Sequence, residues 1–114
     1  MVAPFTEHGV QEAIRKRVPK KWPGSYLIKT VGGPYQVPGL PDLLGCVGGL
    51  FVGLEVKYPK PGESEEHARA RATPQQLNQI ELINAAGGAA GVVMSVQEAL
   101  DLIQAGLDRF VQRP

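Results

Sequence analysis

Pro41-Asp42-Leu43-Leu44-Gly45-Cys46-Val47-Gly48-Gly49-Leu50-Phe51-Val52-Gly53-Leu54-Glu55-Val56-Lys57 is the stretch on which the reading of this chain turns. Two apolar runs flank Gly48-Gly49, a pair suited to the positive φ angles of a tight hairpin turn. The runs should therefore be antiparallel neighbours, the first opening near Asp42 because Pro38 and Pro41 cannot donate within a central strand. Across such a hairpin the start of one strand lies beside the end of the other. Asp42 should then meet the segment Glu55–Lys57. Side chains alternate along a strand, so Glu55 and Lys57 share one face and Val56 takes the other.

Working outward, Thr6 caps a helix over residues 6 to 18, with Val10, Ala13, Ile14 and Val18 on one face and Pro19 and Pro23 bracketing its end. Residues 25 to 31 read as a strand stopped by Gly32-Gly33-Pro34. The polar stretch 58 to 72, with Pro59, Pro61 and Gly62, reads as a mobile loop, either bordering a substrate groove or a plain surface insertion. Thr73-Pro74 starts a second helix with an apolar stripe at Leu77, Ile80, Leu82 and Ile83, closed by Gly87. Ala89 to Met94 is a short buried strand. Ser95-Val96-Gln97-Glu98 is a capping box that opens a last amphipathic helix carrying Ala99, Leu102, Ile103 and Leu107. Helix, three strands, helix, strand, helix predicts a small three-layer α/β fold: a mixed central sheet flanked by helices.

The 114 residues suit one domain, 1–114, with 43% hydrophobic residues to build a core. No apolar run is long enough to span a bilayer, and the N-terminus does not read as a signal peptide. The single cysteine, Cys46, reads as a lone buried thiol and suits a reducing cytosol. Net charge is only +1. The positive charge is clustered, however: Arg15, Lys16, Arg17, Lys20 and Lys21 near the start, and Lys57, Lys60, Arg69 and Arg71 in the middle. Such clusters suit either solvated surface or a rim that contacts phosphates.

Two carboxylates and an ammonium converging at a strand end suit a hard divalent cation. Mg²⁺ takes carboxylate oxygens plus water and substrate phosphate. Asp42 and Glu55 supply the carboxylates, and the Val56 carbonyl a third oxygen. Lys57 would position the attacking water or offset charge on the phosphate. His8 and His67 lack partners at metal spacing and read as surface residues.

Pro41-Asp42, a gap, then Glu55-Val56-Lys57 resembles the PD-(D/E)XK nuclease signature. Gly39-Leu40-Pro41-Asp42 resembles the G-x-P-D lead-in of the VRR-NUC nucleases of phages and bacteria, and Thr73-Pro74-Gln75-Gln76 resembles their T-x-x-Q element. Gly87-Gly88 with the strand and Ser95–Glu98 after it resembles their C-terminal end. The likeness spans roughly residues 7 to 103 and implies a restriction-endonuclease-like α-β-β-β-α-β core. It implies Asp42 and Glu55 as the acidic metal pair, Lys57 as the catalytic lysine and Gln76 as the helix glutamine that reaches the site, with Gln75 and Gln79 as neighbours. An added acid on the first helix falls to Glu7, with Glu12 the weaker choice. Lys29 either faces the substrate or is an exposed strand lysine; with Lys60, Arg15 and Lys16 it makes up the expected nucleic-acid contacts. The resemblance implies an Mg²⁺-dependent endodeoxyribonuclease, with Mn²⁺ able to substitute. Its substrate would be DNA, branched forms included, with a homodimer as the expected assembly and a bacterial or phage-infected cytoplasm as the setting. The competing expectation is a non-catalytic nucleic-acid-binding or phage accessory module on the same fold.

Overall fold

The computed structural model describes residues 6–33 and 36–111. Its elements are α1 (Glu7–Lys21), β1 (Tyr26–Lys29), β2 (Leu43–Val47), β3 (Leu50–Val56), α2 (Glu65–Ala70), α3 (Pro74–Ala85), β4 (Ala89–Val93) and α4 (Val96–Phe110). The four strands form one sheet in the order β1-β2-β3-β4. β1 and β2 pair antiparallel, as do β2 and β3, whereas β3 and β4 run parallel. The sheet is mixed, as expected. The hairpin turns at Gly48 and Gly49, with φ of 56° and 90°. Positive φ at both positions matches the strands' right-handed twist, and glycine adopts it without strain.

Alternation along β3 sorts the layers. Leu50, Val52, Leu54 and Val56 point to one face and join Val10, Ile14 and Val18 of α1 and Ala99, Leu100 and Ile103 of α4 in a single buried cluster. Small residues let α4 close on the sheet: a Cβ at Gly106 would strike Ala89 and Leu50. The other face carries α3, which reaches the sheet through Ile83 over Gly53 and Gly88.

Several expectations are corrected. α1 runs through Pro19 to Lys21. A proline near a C-terminus removes one hydrogen bond, and Trp22 N–H still donates to the Val18 carbonyl at 2.9 Å. The stripe on α3 is not a core face, for no residue of that helix is fully buried, and Leu77 and Leu82 are 51% and 55% exposed. A single helix covers only the β3–β4 side, so the outer face of β1 and β2 stays open, with Tyr26, Ile28 and Phe51 exposed. Cys46 belongs to that open face: it pairs with Tyr26 and Phe51 and is exposed, not buried.

Residues 58 to 72 are also more ordered than a mobile loop. They contain α2, capped by Ser64, with Ala68 fully buried. Two arginines fasten this segment. Arg71 binds Glu63 through Nε (3.0 Å) and Nη2 (3.1 Å), Glu7 through Nη1 (3.1 Å) and the Tyr58 carbonyl (2.9 Å). Arg69 donates to the Val92 carbonyl and to Glu98, each at 3.0 Å. Hydrogen bonding to Arg71 holds the Glu63 carboxyl below its ordinary pKa. No helix among the described residues is long and apolar enough to cross a membrane.

Arg71→Met removes every polar contact of this hub while keeping the length of the stem. Hydrogen exchange should then speed up across residues 58–72 and the first turn of α1, with the sheet amides still protected. Uniform exchange in both proteins would show that the segment is held by other means.

Candidate active site

Asp42 stands immediately before β2, and the backbone on both sides fixes it there. Its carbonyl accepts from Thr30 N–H at 2.8 Å, and the Thr30 hydroxyl donates to the Pro41 carbonyl at 2.9 Å. Upstream, Gly39 has φ 81°, and a Cβ on it would lie 2.4 Å from the Gln75 backbone. Only glycine allows the chain to press against the start of α3 here. The Asp42 Oδ2 atom accepts from Val56 N–H at 2.8 Å. The hairpin therefore brings Asp42 to the end of β3, as its register requires.

Glu55 and Lys57 emerge on the face that carries α3. Glu55 is 1% exposed and Lys57 8%. Glu55 Oε2 receives Lys57 Nζ at 3.3 Å and Gln76 Nε2 at 3.0 Å, whereas its Oε1 is buried with no hydrogen-bond partner. Burial, and after it the nearby charge of Asp42, raises the Glu55 pKa from 4.5 to about 7 against the pull of Lys57. The side chain of Gln76 is fixed at both ends. Its Oε1 accepts from Thr73 N–H at 2.9 Å while Thr73 Oγ1 accepts from Gln76 N–H at 3.1 Å, a reciprocal helix cap. With its oxygen committed to the cap, the amide can only offer N–H to Glu55. Gln76, rather than Gln75 or Gln79, is the glutamine at the site.

The described residues hold no cluster of three His, Cys, Asp or Glu side chains gathered for a metal. The acidic group here is the pair Asp42 and Glu55. A hard cation needs one or two carboxylates with water completing its shell, and the unpartnered buried Oε1 of Glu55 is an oxygen still lacking a positive partner. The two side chains fit a divalent cation. Val56 contributes its N–H to Asp42.

Other sequence expectations fall elsewhere. Glu7 Oε2 meets Arg71 Nη1 at 3.1 Å, and Glu12 is paired with Arg15 at 3.1 Å. Arg15 and Lys16 are exposed, about 12 Å or more along the α1 axis from Glu7. Lys60 is exposed, with its backbone N–H donating to Glu63. Lys29 is exposed at the end of β1, its Nζ 3.4 Å from His8 Nδ1, and His8 is exposed as expected. Sequence reasoning also passed over Thr30 and Gln11. Gln11 is 7% exposed with a buried, unpartnered amide oxygen. The signal was available: a polar residue set among Val10, Ile14 and Val18 on the apolar side of α1.

No family model matches the chain, and no curated protein matches it. Solved structures do. One, described as a VRR_NUC domain, shares 26% identity, covering 87% of this chain and 96% of that one, with a TM-score of 0.59. The chain is similar to VRR-NUC domains over most of its length. A second structure, described as a VRR_NUC domain protein, agrees at 21% identity and a TM-score of 0.65, covering 93% of this chain and 91% of that one. The hairpin, the α3 cap and the parallel β4 thus lie within an α/β fold like that of the VRR-NUC domains.

Two outcomes test this geometry. Without metal, folding raises the Glu55 pKa, so the native state binds the extra proton, and stability should fall as pH rises from about 4.5 to about 7. Glu55→Gln should remove that slope and be the more stable protein at pH 7.5, read by urea denaturation in EDTA. Gln76→Glu keeps the helix cap but sets a carboxylate against Glu55. It should retain far-UV helicity while pushing the Glu55 titration upward, measured by carboxyl NMR.

Proposed function

We propose that this chain is a divalent-cation-dependent nuclease that hydrolyses phosphodiester bonds in DNA, acting as a structure-selective endonuclease. The observation that carries the reading is the convergence of the buried Glu55 and Lys57 with the half-buried Asp42 and Gln76, with one oxygen of Glu55 lacking a hydrogen-bond partner. We assign Asp42 and Glu55 as the holders of Mg²⁺ or Mn²⁺, with Asp42 kept in place by Val56 N–H. When bound, the cation supplies positive charge to the phosphoryl group and makes water a better nucleophile at neutral pH.

The protein's own groups divide the remaining tasks. Gln76 holds Glu55 at a fixed angle from a helix end that cannot turn without losing its cap. Lys57 leaves Glu55 as the pair becomes charge-compensated and donates to the phosphate oxygen on which negative charge builds. Water adds to phosphorus and gives up a proton to solvent, the P–O bond to the leaving nucleotide breaks, and the departing oxygen takes a proton from solvent. In this reading residues 1–114 act as one domain with one centre. Cutting both strands therefore takes two copies, and a homodimer follows for such substrates. The substrate class we assign is branched or distorted DNA. The setting we assign is the cytoplasm of a bacterial cell or a phage-infected host.

Purified protein should cleave branched DNA in Mg²⁺ or Mn²⁺ and be silent in EDTA. Asp42→Ala, Glu55→Ala and Lys57→Ala should each lower the rate by at least about a hundredfold. Lys57→Arg should fail too, since a planar guanidinium does not fit a site shaped for an ammonium. Mg²⁺ should raise the melting temperature of the parent protein but not of Glu55→Gln. Cleavage that survives chelation or Glu55→Ala would sink the mechanism.

A further inference from the structure

We propose that His8 and Lys29 form a phosphate-binding subsite for the backbone phosphodiester next to the one at Asp42 and Glu55; this rests on the nuclease reading. Lys29 is the last residue of β1, in register with Leu43, and its neighbour Thr30 donates to the Asp42 carbonyl. Its backbone is therefore paired beside the residue that follows Asp42, at the same end of the sheet, with its side chain on the face that carries α1. From there Nζ reaches the first turn of α1 and lies 3.4 Å from His8 Nδ1.

Two basic side chains held this close need explaining. An ammonium has only donors, so His8 Nδ1 accepts and its second ring nitrogen, Nε2, carries the hydrogen. The remaining N–H groups of Lys29 and the Nε2–H of His8 are left as donors. No acid answers them: Glu7 is held by Arg71, Glu12 by Arg15, and Lys29 takes part in no ion pair among the described residues. The start of a helix adds positive potential beside His8. His8 also lines a cleft of about 430 Å³ with Tyr58 and Lys60, on the stretch of chain that follows Lys57. A tetrahedral oxyanion meets this arrangement well, with one oxygen on Lys29 and another on His8. The histidine keeps the lysine from wandering, so little side-chain freedom is lost on binding.

Both residues are exposed, so His8→Ala and Lys29→Ala should fold with melting temperatures near the parent's. The test is binding of a fluorescein-labelled branched DNA in EDTA, from about 50 to about 200 mM salt. Lys29→Ala should weaken binding and reduce the slope of log affinity against log salt by about one, because one phosphate charge is no longer neutralised. His8→Ala should weaken binding at every salt concentration without changing the slope, since a neutral imidazole contributes a hydrogen bond and not a charge. Lys20→Ala, at the far end of α1, should do neither. A Lys29→Ala slope equal to the parent's, or an equal loss in Lys20→Ala, would overturn the subsite and leave the nuclease reading intact. A parent protein that binds no DNA at any salt would overturn both.

Discussion

Glu55 has lost nearly all its water, and only one of its two carboxylate oxygens is compensated. An ionised carboxylate in that position is costly unless a positive or hydrogen-bonding partner meets it. Lys57 and Gln76 meet Oε2, while burial and, after it, the charge of Asp42 raise the pKa to about 7. Much of the surrounding structure can be read as the means of keeping this unfavourable group in place. Hydrophobic burial on the opposite face of the sheet, through α1 and α4, stabilises the strands that present it. Gly39 and Gly53 let Asp42's loop and α3 come close enough to enclose it.

The features legible in the sequence were those whose cause is local. Gly48-Gly49 fixed the hairpin, and the hairpin's register fixed the meeting of Asp42 with Glu55. Thr73-Pro74 marked the start of α3, and the cap itself set the direction of Gln76. The pairing of Glu7 with Arg71 was not legible, because the two lie 64 residues apart and no short pattern announces it. α2 was missed for a related reason: six residues are too few to show a period, and the helix is held by arginines that reach across the fold.

The errors over α3 and Cys46 share a cause. An apolar stripe or an apolar setting gives no information about how many layers the fold supplies. One helix cannot cover four strands, and β1 and β2 are left with apolar side chains facing outward. Periodicity thus identified the elements correctly and overestimated how much of their surface would be hidden.

Gln76 serves two structures at once. Its oxygen closes the first turn of α3 and its nitrogen steadies Glu55. Fraying at that helix end is therefore not a harmless local event, as it is for most helices. Each opening of the turn withdraws the Gln76 nitrogen from Glu55 and leaves Lys57 as its remaining partner, so the setting of a buried carboxylate depends on a single helical turn that opens more readily than the sheet.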